Sequence, residues 1–263
     1  MAINKFILVR ILQKKHALEK LTQQDTDIFY GEFEAEFAYN THALRGGTLT
    51  LREVKALLEE GRAIGGKDMG EYLDAMDLKK KMEFVRNIAN KKQKIGKTEL
   101  SELAKQKIQT LLLSELCLML NTKSVQPIWT AAIIYLKALE AGGEFASLLA
   151  NFYLMRNGYP PIVFLRAEKK KCQQAIAKAL EGDSQPFIDF MAKAVERSLE
   201  SRLKKLGGHD EGYLTLAEAA MESIYSQEYL SLLARKGRIG AVKFGRNWEI
   251  TKRALDEYEG EHA

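Results

Sequence analysis

Along the first two hundred residues, apolar side chains recur every three or four positions, with polar ones between them. That spacing collects the apolar residues on one face of an α-helix. It predicts helices over Phe6–Leu21, Asp27–Tyr39, Leu51–Glu60, Gly70–Asn90, Lys97–Leu120, Pro127–Leu139, Phe145–Asn157, Ala167–Leu180 and Asp183–Leu206. Start signals agree: Thr50 followed by Glu53 has the form of a capping box, and Thr98 with Glu102 is a looser version. Gly61, Gly158 and Gly182 stand where helices should stop, the second just ahead of Pro160 and Pro161.

The pattern changes at GGHDEG, residues 207–212, which reads as a linker. After it come a short helix from Tyr213, capped by Thr215, and a second helix capped by Ser226 and ended by Gly237. Leu216, Ala219 and Ala220 give the first an apolar face, and Tyr229, Leu230 and Leu233 sit at core spacing on the second. Residues 239–250 alternate as strand, turn and strand, with Gly245-Arg246-Asn247 at the turn and either Phe244 or Trp248 plugging the wing onto the helices. The expected fold is mainly α: a helical domain over 1–206, a linker over 207–212, and a small helix-turn-helix with a two-stranded wing over 213–263.

Composition adds little to this picture. The chain has 263 residues, 46% hydrophobic and 29% charged, as in an ordinary globular protein. Cys117 and Cys172 lie far apart without metal-ligand spacing, and read as buried free thiols. The apolar run near the N-terminus is broken by Lys5, Arg10, Lys14 and Lys15, and no run reaches membrane-spanning length. A cytoplasmic protein with no membrane partner is expected. The net charge of +5 permits an anionic partner without requiring one, so its distribution matters more. Between Arg235 and Arg253 stand Arg235, Lys236, Arg238, Lys243, Arg246, Lys252 and Arg253 against Glu249.

Four stretches of the helical domain, taken in order, resemble the Fic family: YNTHALRGGTLTLREVKALLEEG, AIGGKDMGEYLDAMD, LLANFYLMRNGYPPIVF and ALEGDSQPFIDFMAKAVERSL. The resemblance spans roughly residues 21–203 and implies a helical fold that transfers AMP from ATP to a protein hydroxyl. In the family the chemistry sits in a loop of the form H-P-F-x-(D/E)-G-N-G-R, followed by a second arginine. The histidine is the general base, the acid holds Mg²⁺, and the glycines aim backbone N–H groups at phosphate. Counting back from LLAN without a gap puts Leu136 at the histidine, Glu140 at the acid, and Ala141-Gly142-Gly143 at Gly-Asn-Gly. Glu144 then falls at the first arginine and Ser147 at the second. Counting forward from QPIWTAA instead leaves about six residues of the loop missing. On either count the base is absent; the histidines are His16, His42, His209 and His262. Gly142 and Gly143 could still cradle a phosphate, but a helix-breaking turn is the expected reading, with Glu140 a vestigial metal ligand. The family's inhibitory helix carries (S/T)-x-x-x-E-(G/N), whose glutamate pairs with the second arginine of the loop. Here Thr41 and Gly46 match, but Arg45 replaces the glutamate. The segment between Leu120 and Gln126 is also short for the family's substrate-positioning hairpin.

Residues 213–258 resemble excisionase-type and MerR-like winged helix-turn-helix modules, nearly without gaps. The resemblance implies double-stranded DNA as partner. Ser226, Gln227, Glu228 and Ser231 would face base edges at the start of the second helix, with Arg235, Lys236, Arg238, Lys243, Arg246 and Asn247 on phosphates or at the wing tip. The expected protein is therefore a DNA-binding regulator, homodimeric and without cofactor, on a catalytically degenerate Fic-like domain. The alternatives are a protein adenylyltransferase with an atypical loop, using ATP and Mg²⁺, and an antitoxin-like partner of an active relative.

Overall fold

The structure, a computed structural model, describes residues 3–20, 26–104, 106–206 and 213–262. The expected linker, with His209, lies outside them. The helices are α1 (Lys5–Lys20), α2 (Thr26–Leu44), α3 (Leu51–Glu60), α4 (Met69–Asn90), α5 (Lys97–Leu103), α6 (Thr110–Asn121), α7 (Pro127–Ala138), α8 (Gly143–Arg156), α9 (Lys169–Leu180) and α10 (Gln185–Leu206). The C-terminal part adds β1 (Tyr213–Thr215), α11 (Leu216–Met221), α12 (Gln227–Lys236), β2 (Ala241–Phe244), β3 (Asn247–Thr251) and α13 (Lys252–His262). The mainly helical fold agrees with the apolar periodicity. Two details differ. The expected helix over Lys97–Leu120 is two helices, because Ala104 is extended and Gln106 turns aside to donate its amide to the Glu140 carbonyl. The cap of α5 is not Thr98 with Glu102 but Gly96, whose N–H the Glu99 carboxylate accepts at 3.0 Å.

The chain forms two compact units: residues 1–4 with 30–195, and residues 5–29 with 196–263. This departs from the boundary expected at 207–212. In the second unit Lys14 of α1 is fully buried, and its ammonium meets Glu196 at 2.7 Å and Glu200 at 2.6 Å. Arg10 forks onto Glu196 at 2.6 and 2.9 Å. A buried ammonium requires such partners, so α1 groups with the C-terminal half of α10 rather than with the helices that follow it in sequence.

The helical unit is built around α8. Its residues from Phe145 to Leu154 are buried on every side except at Ser147, so the helix is apolar all round, as a central helix must be. It packs on α7 and α4. Asn151, inside that core, accepts from the Ile162 N–H at 2.7 Å and donates to the Ile162 carbonyl at 3.0 Å. This pair fixes the extended segment after Tyr159-Pro160-Pro161. Tyr135, Phe164, Phe187 and Phe190 form an aromatic cluster beside it. Gly61, Gly158 and Gly182 all take positive φ where helices stop. Cys172 is buried and Cys117 half-buried, and both are free.

In the second unit the wing has three strands, not two. β3 pairs antiparallel with β2 on one side and β1 on the other, Leu214 lying opposite Ile250. Thr215 and Glu218 form a full capping box at the start of α11. Ser226 caps α12 through the Tyr229 N–H, and Gly237 ends it at φ 66°. Leu216, Ala219, Leu230, Leu233, Ile250 and Leu255 make the small core. Tyr229 departs from its expected core position. It is exposed, its ring lies tilted against that of Tyr225 at 5.3 Å, and its hydroxyl lies 3.4 Å from that of Tyr258. Both candidate plugs are used: Phe244 is buried against Leu203 and Val242, and Trp248 packs on the small core.

Candidate functional site

In the helical unit, the inhibitory-helix resemblance falls on the last turns of α2. Thr41 and His42 are buried there. The following turn brings Gly47 so close that a Cβ would lie 2.0 Å from the His42 ring. Glu71 of α4 binds this turn through four contacts: from His42 Nε2 at 2.8 Å, the Thr48 N–H at 2.7 Å, the Thr48 hydroxyl at 2.9 Å and the Leu49 N–H at 3.2 Å. These donors, His42 first, pull its carboxyl down to about 2. His42 is the only histidine in the sequence of this unit, and this pairing commits it to structure.

The expected catalytic loop is a tight turn. Leu136 lies inside α7, and only Leu139–Gly142 separate α7 from α8. Glu140 is exposed in a short 3₁₀ turn whose carbonyl accepts from Gln106. Gly142 takes φ 111°, a conformation that side chains with a Cβ rarely adopt, so its need for glycine is met by the turn alone. Ser147 donates back to the Gly143 carbonyl at 2.8 Å.

Glu144 occupies the first turn of α8, where the helix dipole favours an anion. Its side chain is 6% exposed. Arg45, in the turn after α2, meets it at 2.8 Å and Lys81 of α4 at 3.1 Å, while Lys81 also holds Asp77 at 2.9 Å. A buried carboxylate held by two cations therefore stands in the first turn of this helix. Arg45 was visible in the sequence as an anomaly. Lys81 was not, because nothing local marks a pairing across 63 residues. The small cleft one turn along α8, between Thr41, Leu44, Tyr135, Ser147 and Asn151, amounts to about 10 Å³, the size of a single water.

In the second unit, Ser226, Gln227 and Glu228 are exposed at the start of α12 and Ser231 is half-buried one turn on. The Ser226 hydroxyl is occupied as the helix cap, which leaves Gln227, Glu228 and Ser231 as the outward polar groups. Arg235, Lys236, Arg238, Arg246 and Asn247 are exposed, and Lys243 is half-buried with its ammonium 5.7 Å from the Trp248 ring centre. Among the described residues, Arg235, Lys236, Arg238, Lys243 and Arg246 form no ion pair, whereas Lys252 pairs with Glu222 and Arg253 with Glu257.

No family model matches the chain. It is 24% identical over 231 residues to the protein adenylyltransferase Fic of Aedes aegypti and 24% identical over 226 residues to that of Drosophila ananassae. These alignments take in 73% and 71% of this chain and 46% of each relative, so the chain spans about half the length of the curated relatives it matches. A Fic-domain signalling protein from Bacteroides thetaiotaomicron superposes with a TM-score of 0.69 at 21% identity, over 77% of this chain and 98% of that one. Fic-1 from C. elegans superposes with a TM-score of 0.70 at 22% identity, over 76% and 71%. The chain has the Fic fold. Within it, Arg45, at the position the resemblance gives to the inhibitory glutamate, pairs with Glu144, at the position it gives to the first loop arginine. The nucleotide and Mg²⁺ that the Fic resemblance implies do not fit these residues. A buried carboxylate stands at the helix start, the cations near it are engaged, and the space by Ser147 one turn on amounts to about 10 Å³. No AMP-transfer step can be derived from this geometry.

Proposed function

We propose that the protein binds double-stranded DNA through its C-terminal module, while its Fic-fold unit is a scaffold and partner surface without AMP-transfer activity. The observation that carries the reading is the row of five cations, Arg235, Lys236, Arg238, Lys243 and Arg246, left unpaired along the end of α12 and the wing of a helix-turn-helix. Unpaired surface cations release counterions from DNA, which is a large favourable term in such binding. Gln227, Glu228 and Ser231 on the outer face of α12 would meet base edges, and Glu228 can accept from cytosine. One module of this size reaches few base pairs, so specificity calls for two copies, and the helical unit is the natural place for them to join.

The names of the relatives favour a second reading, AMP transfer from ATP. The Arg45–Glu144 pair and the tight turn oppose it. Incubation of the protein with labelled ATP, Mg²⁺ and a bacterial lysate should leave all proteins unlabelled, itself included. Labelling that disappears in Glu140→Ala would establish the second reading in place of the first. Retardation of duplex DNA by the wild type, weakened in a Lys236→Glu, Arg246→Glu variant, supports the first; equal retardation by both would refute it.

A further inference from the structure

One cavity of the second unit is used by neither reading. It is a groove of about 640 Å³ lined by α1, the loop between α12 and β2, and α13. That volume is in the range of small-molecule sites. Its floor is apolar, formed by Ala17, Ile239, Val242 and Ala254, and its rim carries His16, Arg238 and Arg253 against the single carboxylate of Glu257. Glu257 is already paired to Arg253 at 2.9 Å. Arg238 has no ion-pair partner among the described residues. Its backbone is fixed, because Gly237 in the left-handed region directs the Arg238 N–H to the Leu233 carbonyl at 2.9 Å. The turn thus fixes where the Arg238 side chain leaves the backbone at the rim, and that side chain forms no ion pair among the described residues.

We infer that this groove binds a small organic acid, its carboxylate on Arg238 and Arg253 and its apolar body on the Ile239 and Val242 floor. An apolar floor under a cationic rim selects a molecule with both parts. A bare inorganic anion would leave the floor wet, and a neutral molecule would leave Arg238 uncompensated. The site has a consequence for DNA, and this part rests on the reading above. Arg238 belongs to the same row of cations, and a carboxylate bound on it neutralises charge that would otherwise meet a phosphate. The acid and DNA are therefore antagonists, and each weakens the other by the same factor.

Fluorine NMR of the full-length protein with 4-fluorobenzoate as probe tests the site without DNA. The expected result is saturable binding, at least tenfold weaker in Arg238→Ala, Arg253→Ala and blocked in Gln13→Trp, which fills the groove from α1 while leaving the cations in place. The neutral probe 4-fluorobenzamide should bind at least tenfold more weakly. Equal binding of the two probes, indifference to the double substitution, or no saturable binding at all would each overturn the inference. So would substitutions that weaken only DNA binding, since that would assign the groove to the DNA interface. If the acid binds but leaves DNA affinity unchanged, the antagonism is refuted while the site stands. A chain that binds the acid and no DNA refutes the DNA reading instead.

Discussion

Glu144 is the side chain on which the proposed lack of AMP transfer turns. Buried at the start of α8, it stands with Arg45 on one oxygen and Lys81 on the other. Removing a partner from a buried ion pair typically costs about 3–5 kcal/mol, and less where a second partner remains. Arg45→Ala should therefore lower unfolding stability by about 1–3 kcal/mol in urea titration, while Arg45→Ala with Lys81→Ala approaches the full cost. A double substitution no worse than either single one would show that the carboxylate does not depend on these cations. Two other glutamates give opposite pH behaviour. Burial of Glu34, opposed by Arg86 and reinforced by Glu83, raises its carboxyl from 4.5 to about 7. Between those values the folded chain holds a proton that the unfolded chain has released, so this group's contribution falls as pH rises from 4.5 to about 7. Glu34→Gln should flatten that decline, and thermal unfolding across the range would read it. Glu71, lowered to about 2 chiefly by His42, stabilises above 4.5 and loses its contribution as pH falls through about 2.

Among the elements, much was legible in the sequence because the signals are local. The Thr50 and Thr215 caps, the stops at Gly61 and Gly237, and the all-round apolar α8 each follow from a few adjacent residues. What escaped is tertiary. The strand at Tyr213–Thr215 exists only because β3 offers it a partner, and the break after Leu103 answers to a carbonyl at Glu140. Tyr229 has core spacing yet faces outward, since periodicity cannot tell which side of an amphipathic tyrosine is wet. The candidate site divides in the same way. The lack of a histidine near the turn was readable in the sequence, but the pairing of Glu144 with Arg45 and Lys81 needed the fold. On α12 and the wing, phosphate and base contacts should separate experimentally. Arg246→Glu should weaken binding to every duplex alike, whereas Gln227→Ala should change which duplex is preferred. Binding-site selection with both variants reads the difference, and a changed preference in Arg246→Glu would reassign that residue to the bases.

At the scale of the whole chain, the grouping of α1 with the C-terminal module alters what a minimal DNA-binding fragment must contain. Ala17 and Leu18 of α1, with Leu203 of α10, cover Val242 and Phe244 of the wing. A fragment limited to residues 213–262 exposes that patch, and should bind DNA more weakly than the full chain and unfold at a lower temperature. Equal affinity and stability would show that α1 and α10 are dispensable to the module. No helix among the described residues is long and apolar enough to cross a membrane, and the surface that remains to be explained is the row of unpaired cations. The salt dependence of DNA affinity tests it most directly. With five phosphate contacts per copy, a plot of log association constant against log salt concentration should fall with a slope of roughly −4 to −5 per module bound. The slope should become shallower by about one for each cation of the row that is removed. A full chain that shows no salt-dependent affinity for duplex DNA at about 50 mM salt would contradict the account.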